Sequence, residues 1–190
     1  MDTLLSLLVG LGFSAACGFR LFVPFFILSV ASLSGHLTLP ESFSWIGSWS
    51  AFIAFGAATV LEVTGYYFPL VDNFLDTVAT PAAVVAGTIA TAAMATGMDP
   101  FLKWSVAIIA GGGVAGLIKS TTAVMRAASS LTSGGILNPM MATAELGGSI
   151  GATLLTLVAP ILMTLVLGVL LIVVVARLAK RNSPARPTLI

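Results

Sequence analysis

Apolar runs of roughly twenty residues, separated by short polar stretches, repeat along this chain, and a bilayer crossing needs about 20 such residues. The first run, Leu4 to about Leu28, contains Gly10, Gly12, Gly18, Arg20 and Pro24. Ser29 to Ser48 reads as a loop rich in serine, with Gly35 and Pro40, and Trp45 and Trp49 stand where interfacial anchors are expected. A second span is predicted from about Trp49 to Phe68, with Tyr66 and Tyr67 at its far end. A third runs from about Thr77 to Met98, with Pro81 in its first turn, where proline is tolerated. After a tight turn at Gly97 to Pro100, a fourth runs from about Phe101 to Met125 and holds Gly111, Gly112, Gly113 and Gly116.

The signal weakens from Arg126 to Gly151. Gly134, Gly135 and the Asn138–Pro139 pair predict a broken or re-entrant segment shielded by other helices. The last apolar run, Thr153 to Ala176, is interrupted by Pro160. The expectation is an all-α, polytopic membrane protein with about six segments. Residues 1–176 form one transmembrane domain, and 177–190 form a flexible basic tail. The start, MDTLL, has no basic residue, so the first run reads as a retained span rather than a signal peptide. With six crossings both termini share a side. Arg177, Lys180, Arg181 and Arg186 mark it as cytoplasmic, and Lys119 and Arg126 fall on the same side between spans four and five.

Composition agrees with the pattern. The chain is 58% hydrophobic and 8% charged, with a mean hydropathy of +1.10, whereas a soluble domain is about 25% charged. A net charge of +1 without a basic stripe argues against nucleic acid. The single cysteine, Cys17, excludes an internal disulfide and a cysteine-rich metal site, and it reads as a small packed hydrophobe. His36 stands alone in a loop, so no metal or cofactor is expected. Gly112 with Gly116, and Gly147 with Gly151, have the spacing of close helix contacts.

The two halves, 1–98 and 101–176, resemble each other weakly. Each has a glycine-bearing run ending near a cation (Arg20, Lys119), then a glutamate after small residues (Glu62, Glu145), then a proline in an apolar run (Pro81, Pro160). Three spans per half would make the repeats inverted, as in many secondary transporters.

Charges are scarce enough that each needs a reason. Arg20 lies roughly 24 Å along a helix begun at Leu4. It either snorkels to the far interface or serves as an anion-binding or carboxylate-pairing cation. Glu62 is too short to snorkel, so it is protonated, paired with a cation such as Arg20 or Lys119, or facing a polar path. On a continuing helix Glu62, Tyr66, Pro69, Asn73 and Asp76 share a face, with Asp72 beside it. That face either lines a pathway or ends at Pro69, leaving Asp72 and Asp76 solvated, with Asp76 or Thr77 capping the third span. Glu145, in the weak segment after Asn138, reads as a site residue of a broken helix or as a solvated loop carboxylate. Arg20, Glu62, Asp72, Asp76 and Glu145 are the expected substrate- or ion-binding residues. Lys119, Tyr66 and Asn138 are secondary.

The stretch GFRLFVPFF at Gly18–Phe26, the Glu62–Pro81 block and the glycine-rich fourth span resemble the small bacterial membrane proteins grouped as DUF4126, whose function is unknown. The resemblance extends through about Ala176. It implies a prokaryotic integral membrane protein and brings no site residues.

The functional expectation is a small secondary transporter or permease-like protein of the inner membrane, most naturally a homodimer, with an anionic or lipid-phosphate substrate. The alternative is a non-transporting assembly factor or subunit of a larger membrane complex. No paired acid–base or nucleophile motif points to an enzyme.

Overall fold

Helix α1 (Thr3–Phe19) is made almost wholly of small and apolar residues, and that composition lets other helices close on it from several sides. In the computed structural model, residues 3–134 and 136–181 are described, without the side chains at 69, 70, 72–74, 76, 171 and 174–181. After α1 come α2 (Val23–Leu33), a 3-10 turn (Glu41–Gly47), α3 (Trp49–Gly65) and α4 (Pro69–Met94). Next, α5 (Pro100–Val106), a π-helical segment (Ala107–Gly112) and α6 (Gly113–Ser133) form one continuous helix, followed by α7 (Asn138–Val158) and α8 (Pro160–Arg181). There is no strand among the described residues.

Helix α1 packs against α4, α6, α7 and α8. Its glycines make the contacts close. A Cβ on Gly10 would lie 3.0 Å from Thr91 Cα, one on Gly18 would lie 2.7 Å from Ile118 Cβ, and one on Gly12 would collide with Thr156. Hydroxyls fasten the same contacts: Thr91 donates to Gly10 O at 3.2 Å, Ser149 donates to Ala16 O at 3.0 Å, and Ser14 donates to the carbonyl of Gly111 in the π segment. Such bonds add about 0.6 kcal/mol each on average in membrane helices. Gly112 and Gly116 both press on Val84 of α4, as their spacing predicts. Gly147 and Gly151 have the same spacing, but a Cβ on either would meet nothing within 4 Å among the described residues, so they form no packing seam there.

Among the described residues, three helices are long and apolar enough to cross a membrane: Thr77–Met94 within α4, Pro100–Ser133, and α7. The 3-10 turn and α3, bent by 60°, make a fourth if counted as one. Helices α1, α2 and Pro160–Leu170 are apolar but shorter. Large side chains such as Ile53, Leu61, Ile109 and Val158 stand exposed, as suits a membrane-embedded protein.

Several local expectations are corrected. The weak region is interrupted near Gly134 and Asn138, as expected, but the interruption is a turn between two long helices and not a break within one re-entrant segment. Helix α6 continues past Met125 to Ser133 and ends at Gly134, whose φ of +62° reverses the chain. Pro139 then sits in the first turn of α7, where its missing N–H costs nothing, and α7 runs unbroken. The break falls in the first segment instead, between Phe19 and Val23. Helix α4 starts at Pro69, so Pro81 is interior, and Asp72 and Asp76 belong to the first two turns of α4 rather than to a loop. Neither Asp76 nor Thr77 therefore caps that helix, and Glu62 and Asp76 do not share one helix face. Helix α8 extends to Arg181, beyond the expected end at Ala176, and the rest of the basic tail lies outside the described residues. The proposed counterparts of the two halves also differ in placement: Arg20 is at a break and Lys119 inside a helix, while Pro81 is interior and Pro160 opens one.

The packing predicts a contrast between glycines. A Cβ on Gly87 would sit 2.9 Å from the Gly111 carbonyl, which is backbone and has no room to yield. Gly87→Val is expected to destabilise the protein by about 1–3 kcal/mol, the usual cost of overpacking. Gly147→Val should change stability by less than about 0.5 kcal/mol. Thermal unfolding followed by size-exclusion chromatography in detergent distinguishes the two.

Candidate functional site

At the α1–α2 break the backbone leaves the helix just where Arg20 stands. Arg20 N–H still bonds Ala16 O at 3.1 Å, but Leu21 and Phe22 are non-helical and lead into α2, which has Pro24 in its first turn. Their N–H groups would be orphaned in an apolar setting. Glu62, three residues before the end of α3, takes both: Leu21 N–H donates to Oε1 at 2.7 Å and Phe22 N–H to Oε2 at 3.0 Å. A carboxylate at a helix N-terminus also complements the helix dipole. Glu62 thus latches the break from a neighbouring helix.

Beyond the break, charges gather on Tyr66, the residue that ends α3 and is 2% exposed. Arg20 Cζ lies 4.0 Å from the ring centroid, Arg126 Cζ 4.6 Å and Lys119 Nζ 5.1 Å. Lys119 Nζ also donates to the Tyr66 hydroxyl at 3.0 Å. Lys119 and Arg126 are seven residues apart on α6, two turns of one face, which is why both reach the same ring. All three cations are within the distance at which a ring face attracts charge, and desolvation strengthens that attraction.

Glu145, on the buried side of α7, bridges two of them. It accepts a charge-assisted hydrogen bond from Arg126, and Arg20 approaches it at 3.4 Å. Arg20 also donates to Ala142 O at 2.8 Å, one turn earlier on α7. Arg20, Lys119, Arg126 and Glu145 are each at most 3% exposed. Even so, Arg20 Nε and Nη1 and Glu145 Oε1 have no hydrogen-bond partner among the described residues. Buried polar groups of this kind are rare in native proteins, and they invite a ligand or water.

Of the sequence-predicted residues, Arg20, Glu145, Lys119 and Tyr66 come together directly, and Glu62 joins them through the Leu21–Phe22 backbone. Glu145 is not a solvated loop carboxylate, and Arg20 does not snorkel. Asn138 opens α7 and accepts a hydrogen bond from Ser130 at 3.2 Å across the α6–α7 turn. The side chains of Asp72 and Asp76 lie outside the described residues. Arg126 was missed as a site residue. Ending the fourth span at Met125 turned it into a topology signal, whereas its spacing from Lys119 places it on the same face of one longer helix. No group of three metal-ligating side chains occurs among the described residues.

A buried charge left without its partner costs about 3–5 kcal/mol. Glu145→Ala is expected to lower stability by that order, because Arg126 and Arg20 both face it. The double variant Glu145→Leu, Arg126→Met should recover at least half of the loss, and unfolding midpoints in a matched detergent check this.

Comparison with known proteins yields one finding. The family model described as "Domain of unknown function (DUF4126)" matches residues 7–181. Among curated proteins and solved structures, nothing matches the chain. The family match takes in the broken first segment, the Tyr66 cluster and all of α7, and the chain belongs to the DUF4126 family.

Proposed function

We propose that this protein is a small membrane carrier in which Arg20 receives an anionic substrate and Glu62 controls where Arg20 stands. One observation supports this reading above the others: a buried arginine with donors unused among the described residues sits at a helix break, and a carboxylate from a neighbouring helix holds that break. Discontinuous helices at substrate sites are a recurring device of secondary transporters.

The chemistry follows from the latch. As a carboxylate, Glu62 accepts from both N–H groups. Once protonated, it presents an O–H on one oxygen and can no longer serve both donors equally. The start of α2 is then free to shift, and Arg20 with it. An incoming anion competes with Glu145 for Arg20, whose present separation of 3.4 Å is longer than a good charge-assisted bond. Proton binding and anion binding are thereby coupled through about two residues of backbone.

The same reading takes six crossings: α1 with α2, α3, α4, the α5–α6 helix, α7 and α8. Both termini are then cytoplasmic, and the protein works as a dimer in the inner membrane. Arg20 and Glu62 come from the first half of the chain and Lys119, Arg126 and Glu145 from the second. The site thus lies between the two halves, as an inverted-repeat organisation requires, although Arg20 and Lys119, and Pro81 and Pro160, are placed differently in their helices. A second reading, a non-transporting assembly subunit, draws support from the near-complete burial of the cluster. A second protein that co-purifies stably with this one would favour it.

Glu62→Gln keeps a side chain of the same shape but removes proton exchange. The variant is expected to elute as wild type and to lose anion-dependent proton flux in proteoliposomes loaded with a pH-sensitive dye. A folded variant with undiminished flux contradicts the mechanism.

A further inference from the structure

A second feature adjoins the cluster. A cavity of about 180 Å³ lies between α1, α6 and α8, walled by Phe19, Ile118, Thr122, Met125, Leu167 and Leu170 among others. Its walls are almost entirely apolar, and Met125 and Leu170 at its rim are 54% and 43% exposed, so it opens sideways on the apolar surface of the bundle. Phe19 immediately precedes Arg20, and Ile118 immediately precedes Lys119. Ile118 and Thr122 belong to both the cavity wall and the buried side of α6 that presents Lys119 and Arg126. A greasy slot and a buried cationic site therefore share one wall.

We propose that the slot takes an alkyl chain of an anionic phospholipid whose phosphate is received by Arg20. The inference rests on the carrier reading for the role of Arg20 and deepens it by naming the substrate class, a lipid phosphate entering from the bilayer. Charge complementarity fixes the occupant. Arg20 is 1% exposed and has Nε and Nη1 without partners among the described residues, so it offers both nitrogens as donors to a multivalent acceptor such as a phosphate. A lipid without a phosphate would fill the slot and leave those donors unmet, and the phosphate of a zwitterionic lipid brings its own cation into a site that already holds three. A free phosphate ion would satisfy the donors but gain nothing from the slot, which opens among apolar side chains. An amphiphile with its charge next to its chain satisfies both features at once. Release of Arg20 from Glu145 and movement at the α1–α2 break would admit the headgroup past Phe19.

The test uses the delipidated full-length protein, incubated with equal amounts of dioleoyl phosphatidic acid and dioleoyl phosphatidylcholine and read by native mass spectrometry. Wild type is expected to retain phosphatidic acid over phosphatidylcholine by about tenfold or more. Leu170→Trp, which fills the slot from its exposed rim, should cut that retention about tenfold. Ile53→Trp, on the exposed face of α3, should leave it unchanged. Arg20→Gln should abolish the preference for phosphatidic acid. If Arg20→Gln does not fold, the Leu170 and Ile53 pair decides alone. Equal retention of the two lipids by wild type, or undiminished retention by Leu170→Trp, overturns the lipid assignment. Loss of lipid selectivity with Glu62-dependent flux intact would sink the lipid and keep the carrier. Selective retention without such flux would keep the lipid site and sink the carrier.

Discussion

Three cations buried against one tyrosine ring are the constraint from which the rest of the arrangement follows. A single charge at the middle of a span costs about 2.5–3.5 kcal/mol on insertion scales. Arg20, Lys119 and Arg126 are accommodated because each meets the Tyr66 face and because Glu145 stands between the two arginines. Those partners come from four different places: the α1–α2 break, the end of α3, α6 and α7. The cluster therefore ties together helices that packing alone would leave less firmly fixed, since lipid provides no hydrophobic drive between them.

That requirement shapes the helices nearby. Arg20 reaches the ring at the point where α1 has stopped and α2 has not begun, and the exposed N–H groups of that break are met by Glu62. Tyr66 is delivered by the end of α3 at Gly65, before Pro69 opens α4. Small residues do the complementary work on α1. Gly10, Gly12 and Gly18 bring α4, α7 and α6 close enough that the charged side chains need not stretch. The polarity that looks like weakness in 126–151 belongs to a helix end, a turn and the start of α7, whose buried side presents Glu145.

Much of this was legible in the sequence. The membrane character and the all-helical class follow from composition. Arg20, Glu62 and Glu145 stand out because charges are so few in this chain. Helix boundaries were harder, because proline has opposite meanings by position. Pro69 and Pro139 each open a helix, where the sequence left Pro69 as either a helix end or part of a continuing face and made Pro139 part of a break, and Pro81 is tolerated inside one. The glycine spacing was informative at Gly112 and Gly116 and silent at Gly147 and Gly151, since spacing gives a face but not what the face meets. Arg126 reads from sequence as a topology signal and not as a site residue, because a hydropathy window averages over all faces and cannot see that one buried face of α6 holds Ile118, Lys119, Thr122 and Arg126 together.

The most direct measurement is an experimental structure of the protein in lipid nanodiscs, read at Tyr66. The account predicts a helix broken between Phe19 and Val23, with Arg20 turned onto the Tyr66 ring beside Arg126 and Lys119 and with Glu145 between the two arginines. A helix running unbroken through Arg20, with its guanidinium reaching the headgroups and Tyr66 packed against apolar side chains, would contradict it.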